Sequence, residues 1–221
     1  MLGTYSRGIG GAAAGSFYCS GTLVAPNWVL TAAHCIYSHE GQHWNIPDAV
    51  HPRSCNGRTR RSYRVKRAVA HTGWTRYGDF GNDIGLLELE PKRGDEAGTR
   101  YGTISMLTTP KQSFNGYVIG YPREARGQIQ RHSLWQGEGV VVQSTDVYHQ
   151  GTRKEKMFTW IDASGGQSGS PVLKYDSQGN IFTTGVYVAT NSRNGETIVN
   201  LIMKLLPDKI AWVENIIEGR H

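Results

Sequence analysis

Leu30-Thr31-Ala32-Ala33-His34-Cys35 closes the apolar run Trp28–Ala32, and the reading of this stretch decides the fold. An apolar run this short, with a turn signal before it, has the length of a buried strand and not of a helix. The turn is Ala25-Pro26-Asn27, and a second apolar run, Ser16–Val24, lies on its far side. The same punctuation continues along the chain. Ser62–Ala70 alternates charged and apolar residues (Tyr63, Val65, Ala68, Ala70), as a half-buried strand does. Ile84–Leu89 is a compact apolar run ended by Pro91. Beyond a polar link near Thr108–Ser113, strands are expected at Gly116–Ile119, Glu138–Gln143, Lys156–Ile161, Ser170–Leu173, Ile181–Val188 and Ile198–Met203. Only the end reads as a helix: Pro207 suits a first helical position, and Ile210, Val213 and Ile217 recur at i, i+3 and i+7. No fixed-period repeat is present, which argues against a propeller or solenoid.

Composition agrees with an all-β chain. Of 221 residues 38% are hydrophobic, 28 are glycine and only 19% are charged, which suits many short strands and turns and argues against disorder or a helical bundle. The formal charge of +6 raises nucleic acid as a partner. The basic stretch Arg58, Arg60, Arg61, Arg64, Lys66 and Arg67 alternates along a strand, however, which marks a solvated face or a protected edge. No aromatic platform for single strands accompanies it. No nucleic acid and no membrane partner is expected, since every apolar run falls far short of the roughly 20 residues of a span. Eight histidines without ligand-like spacing give no metal site, and nothing calls for a cofactor.

The ends carry processing signals and no fold information. Met1–Arg7 lacks the apolar region of a secretory signal, and a Met replacing a removed leader would hide the usual evidence of secretion. Ile217-Glu218-Gly219-Arg220-His221 contains a tag-removal sequence, so 218–221 is read as a tag remnant. Cys19 and Cys35 lie 16 positions apart, and a bridge closing such a loop is worth about 3 kcal/mol in the chain-entropy model. Three reduced buried thiols, Cys55 included, is the competing reading.

Three segments carry residues suited to chemistry, and each has a plain structural alternative. His34 follows a strand, where a histidine is more often a satisfied core residue. Asp83, in Asn82-Asp83-Ile84-Gly85-Leu86-Leu87, precedes a buried strand, where an aspartate ordinarily caps a turn. Gly165-Gly166-Gln167-Ser168-Gly169-Ser170-Pro171 surrounds one serine with glycines, as a tight turn also would. Their conjunction is more specific than any member.

The order His34, Asp83, Ser168, with His34 beside Cys35 and Ser168 inside Gly-x-Ser-Gly-Ser-Pro, resembles the trypsin/chymotrypsin serine proteases. Gly165-Gly166-Gln167-Ser168-Gly169-Ser170-Pro171 and Val118-Ile119-Gly120-Tyr121-Pro122 are most similar to the glutamyl endopeptidase (V8-like) branch. The resemblance runs from Cys19 to the terminal helix. It implies a fold of two six-stranded antiparallel β-barrels with a C-terminal helix: residues 1–108 as the barrel carrying His34 and Asp83, 109–206 as the barrel carrying Ser168, and 207–217 as the helix. It also implies a Cys19–Cys35 bridge, a structural role for His71, and a secreted monomeric endopeptidase acting on protein or peptide substrates. In that chemistry Ser168 attacks, His34 moves the proton, Asp83 orients His34, and the Gly166 and Ser168 N–H groups receive the oxyanion.

Two departures from the family are visible. Gln167 stands where trypsin-type zymogens keep an Asp for activation, so no activation ion pair is expected; Arg7-Gly8-Ile9-Gly10-Gly11 lies too close to Cys19 to supply one. Pocket positions read as Asp162, Ala163, Tyr187, Val188 and Thr190. Ala163 and Tyr187 stand where the V8-like branch keeps its glutamate-binding Thr and His, which removes the usual basis for Glu preference. A Tyr187 hydroxyl can still donate to a carboxylate. Asp162 is either structural or a partner for Arg/Lys substrates. A catalytically silent binding protein on the same scaffold is the alternative function. An esterase of the α/β-hydrolase type is disfavoured by its Ser, Asp, His order.

Overall fold

The computed structural model describes residues 2–6, 17–54, 61–122, 134–143, 147–149, 152–154, 156–159, 161, 163, 165–193 and 196–220. Its first half is a closed six-stranded barrel built from Leu2–Ser6, Phe17–Ala25, Trp28–Thr31, Gly85–Leu89, Tyr63–Ala70 and Ala49–Pro52, in that order around the ring. All neighbours are antiparallel. The second sheet runs Pro171–Tyr175, Phe114–Gly120, Trp135–Gln143, Lys156–Thr159, Glu196–Lys204, Ile181–Arg193. An additional pairing between Pro171–Tyr175 and Ile181–Arg193 closes those six into a second ring. The short strand Ser105–Met106 adds to its outside in parallel. The helix Pro207–Ile217 ends the fold, with Pro207 in its first turn. The expected architecture of two six-stranded barrels and a C-terminal helix is therefore present.

Local chemistry explains the strands. Leu86, Leu87 and Leu89 are all buried because Gly85–Leu89 lies between Trp28–Thr31 and Tyr63–Ala70 with packing on both of its faces. Tyr63–Ala70 instead alternates over its first half, with Tyr63 buried and Arg64 and Lys66 exposed, until a register shift between Val65 and Arg67 precedes buried Ala70. Part of the basic stretch is paired with carboxylates. Lys66 and Arg67 donate to Glu88 on the neighbouring strand at 2.6 and 2.5 Å, and Arg61, Arg100 and the Tyr63 hydroxyl converge on Asp95. Burial works against charge on Glu88, yet the two cations outweigh it and hold its carboxyl below the usual range. Arg67 also stacks over Trp28, 5.1 Å from the ring centroid. Arg58, Arg60 and Cys55 lie outside the described residues.

Cys19 and Cys35 form the expected disulfide, with Cα atoms 6.2 Å apart. It ties the strand Phe17–Ala25 to the 3-10 turn Ala33–Cys35 that carries His34. His71 caps the helix Thr72–Tyr77, its Nδ1 accepting from the Gly73 N–H at 3.0 Å while its ring packs edge-on against Trp212 of the C-terminal helix. Burial, with Lys209 nearby, pushes the His71 pKa down, consistent with a neutral acceptor. His71→Ala is expected to cost about 1 kcal/mol through loss of the cap, and His71→Asn to recover part of it, read as shifts in Tm.

Candidate active site

Asp83 follows the 3-10 turn Phe80–Asn82, which Asp79 organises by accepting from the Gly81 N–H at 3.0 Å and from Asn82 Nδ2 at 2.8 Å. The Asp83 carboxylate is fully buried and, among the described residues, is held by a single residue through two bonds. The His34 backbone N–H donates to Oδ1 at 2.8 Å, and the His34 ring donates through Nδ1 to Oδ2 at 2.7 Å. Two bonds from one residue fix both the position and the rotation of the imidazole. They also leave Nε2 as the free nitrogen of the neutral ring. Burial disfavours the imidazolium, but the Asp83 charge and hydrogen bond outweigh it and raise the His34 pKa above its ordinary value of 6.5. Trp74 leans against His34 with ring centroids 6.2 Å apart, and is itself pinned by Nε1 donating to the Tyr37 carbonyl at 3.0 Å.

The Ser168 segment comes from the second barrel, just before its strand Pro171–Tyr175. Gly166 and Gly169 adopt φ of 94° and 85°, which places the Gln167-Ser168 pair on a tight turn. The Ser168 carbonyl accepts from the Ser20 N–H at 2.7 Å and lies 3.7 Å from Cys35 Sγ, which is in turn 3.8 Å from His34 Nε2. The turn thus lies against the His34 segment. Among the described residues no hydrogen bond joins Ser168 Oγ to His34 Nε2; such contacts are often long until substrate is bound. Neither the Gly166 nor the Ser168 N–H has an acceptor among the described residues.

A Cβ at Gly169 would overlap the Ser20 carbonyl oxygen and Thr31 Oγ1, in a backbone conformation that L side chains rarely adopt. Strain of that kind costs about 1–3 kcal/mol before the overlap is relieved. Gly169→Ala is therefore expected to destabilise the chain by about 3 kcal/mol or more, measured by denaturant unfolding.

Of the pocket residues named from sequence, Ala163, Tyr187 and Val188 are buried. Thr190 lies on the same strand opposite Asn200, with its side chain outside the described residues, as Asp162 is altogether. The Tyr187 hydroxyl donates to Asn200 Oδ1 at 3.1 Å, and Asn200 Nδ2 donates to the Ile161 carbonyl at 2.6 Å. In the structure that proton is directed at Asn200. Asn200 and Ser20 are the residues of this region that sequence reasoning missed. A single polar residue within a strand gives no local signal of what it meets across the fold.

Residues 5–203 match the family model described as Trypsin. The glutamyl endopeptidase of Bacillus licheniformis is 29% identical over 194 residues, covering 81% of this chain and 55% of that protein. The chain spans about half the length of the curated relatives it matches. A solved structure of a Glu endopeptidase in complex with MPD superposes with a TM-score of 0.75 at 23% identity, over 99% of this chain and 89% of that one. The thermostable serine protease AL20, from an extremophilic microorganism, superposes with a TM-score of 0.76 at 17% identity, over 100% and 97%. At these identities the two structures speak for the fold.

Proposed function

The chain belongs to the trypsin family, and from that premise we propose that it is a serine endopeptidase working through an acyl-enzyme on Ser168. The observation that carries the reading is the buried Asp83 holding His34 by two bonds, next to a glycine turn with two N–H groups unengaged among the described residues. In the proposed reaction Ser168 Oγ attacks the substrate carbonyl as His34 Nε2 takes its proton, a transfer worth about 10²–10⁴-fold. The Gly166 and Ser168 N–H groups receive the negative charge on the carbonyl oxygen, each worth about 2.7–4 kcal/mol in the transition state. His34 then returns the proton to the leaving amine, and water repeats the sequence to release the acid. Asp83 stays ionised throughout and stabilises the imidazolium.

The Cys19–Cys35 bridge supports an extracellular site of action, because such bridges persist in oxidising compartments. No helix among the described residues is long and apolar enough to cross a membrane. Protein or peptide substrates follow from the family. For the residue preceding the cleaved bond, likeness to the Bacillus licheniformis enzyme favours glutamate, while Asp162 favours Arg or Lys.

Cleavage of a diverse peptide mixture, with product termini read by mass spectrometry, tests both levels. Internal cleavage is expected, and intact peptides after long incubation would contradict the endopeptidase reading. Ends in Glu support the first specificity; ends in Arg or Lys that disappear in Asp162→Asn support the second.

A further inference from the structure

Ser20 sits on the first-barrel strand Phe17–Ala25, yet it makes three hydrogen bonds to the second barrel. Its N–H donates to the Ser168 carbonyl at 2.7 Å, its Oγ donates to the Gly166 carbonyl at 2.9 Å, and its Oγ accepts from the Tyr121 N–H at 2.9 Å. A serine hydroxyl has one proton. Because the Tyr121 N–H must meet an oxygen lone pair, that proton is directed at the Gly166 carbonyl. Ser20 is fully buried, and its own carbonyl is held by Thr31 Oγ1 at 2.9 Å.

The consequence for the turn follows from peptide planarity, since the N–H and C=O of a trans peptide point in opposite directions. Ser20 holds the 166–167 peptide by its C=O. It also holds the 168–169 peptide, whose Gly169 N–H donates to the Tyr187 carbonyl at 2.8 Å. Between them, the Gln167 carbonyl accepts from the Ser170 N–H at 2.9 Å, which turns the Ser168 N–H the other way, out of the turn. Gly166, with its left-handed φ, is the residue most free to rotate its own N–H away if the following carbonyl were released. Gln167 is buried and carries no charge with which to anchor the turn.

We propose that Ser20 is a positioning residue for catalysis: its hydroxyl, bonded to the Gly166 carbonyl from the neighbouring barrel, fixes the 166–167 peptide that lies between the Gly166 and Ser168 N–H groups, and so the torsions at Gly166 and Gln167 that aim this pair at the oxyanion. The proposal rests on the endopeptidase reading. Ser20→Ala keeps the backbone bond and removes the hydroxyl. It is expected to lower kcat by about 10–10²-fold, less than the 10²–10³-fold of losing an oxyanion donor outright. KM should change by less than about threefold, and affinity for a peptidyl boronic acid, which places a charged oxygen in the site, should fall in step with kcat/KM. Ser20→Thr, which keeps the hydroxyl, should restore kcat to within about fivefold. Thr109→Val removes a buried hydroxyl whose partner, the Thr184 carbonyl, is not in the turn, and should leave kcat per titrated active site near wild type.

A Ser20→Ala enzyme with kcat within about twofold of wild type would overturn the proposal. So would equal losses in Ser20→Ala and Thr109→Val, a loss confined to the fraction of titratable sites, or failure of Ser20→Thr to restore kcat. Should Ser20→Ala not fold, Ser20→Gly removes the same hydroxyl and is read by the same outcomes. A wild-type chain that neither cleaves peptides nor titrates with an active-site reagent contradicts the endopeptidase reading itself, which separates the two failures.

Discussion

Ser168→Ala is expected to lower kcat by about 10⁶-fold, the loss seen when an activated serine nucleophile is removed. Its side chain makes no hydrogen bond among the described residues, so its removal leaves no buried partner unsatisfied. Stability should stay within about 0.5 kcal/mol of wild type. The remaining rate, about 10³–10⁴-fold above water, would come from binding and from the Gly166 and Ser168 N–H groups, which the substitution leaves in place. Steady-state kinetics on the best peptide from the mixture, beside thermal unfolding of the same samples, checks both halves. A kcat within tenfold of wild type would remove Ser168 from the mechanism.

Asp83→Asn should produce the second-largest effect, a fall of about 10⁴-fold in kcat with little change in fold. The amide preserves the shape and can still accept from the His34 backbone N–H. It presents an N–H₂ group to the ring in place of an oxygen, so Nδ1 becomes the acceptor and the ring proton moves to Nε2. A protonated Nε2 cannot take the proton of Ser168. The pH profile provides an independent readout. His34 must be neutral to act as base, so activity is lost as pH falls through its raised pKa, and the acidic limb of kcat/KM should lie above 6.5. In Asp83→Asn the two effects that raise the pKa vanish and the burial that lowers it remains, so the limb should move to lower pH. The linked stability has a definite sign. A raised folded-state pKa means the charged His34–Asp83 pair stabilises most fully below the unfolded pKa of about 6.5, and that contribution is lost as pH rises through the folded value.

The apolar runs of the strands were legible because each is buried on at least one face, as Gly85–Leu89 is on both. So was the terminal helix, whose period is written in Ile210, Val213 and Ile217. Two short elements without an apolar run were not: Ala49–Pro52 and Thr72–Tyr77 are too short to show a period, and the second depends on a histidine cap. Leu2–Ser6 reads in sequence as an undistinguished start, yet it completes the first ring by pairing with Phe17–Ala25 and Ala49–Pro52. Candidate site residues could be named where a segment combines unusual residue types, as around His34 and Ser168. Ser20 and Asn200 could not, because their partners lie up to 146 residues away and nothing local announces them. The basic strand shows the same limit, since Glu88 and Asp95 become its counter-charges only once the chain has folded.

The most direct test of the central claim is covalent labelling of the folded chain by a fluorophosphonate, with the adduct counted and located by mass spectrometry. One adduct per chain, on Ser168 and absent in Ser168→Ala, is the result expected of a serine nucleophile activated by His34. A folded wild-type chain that takes no label, or a Ser168→Ala chain that labels equally well, would contradict it.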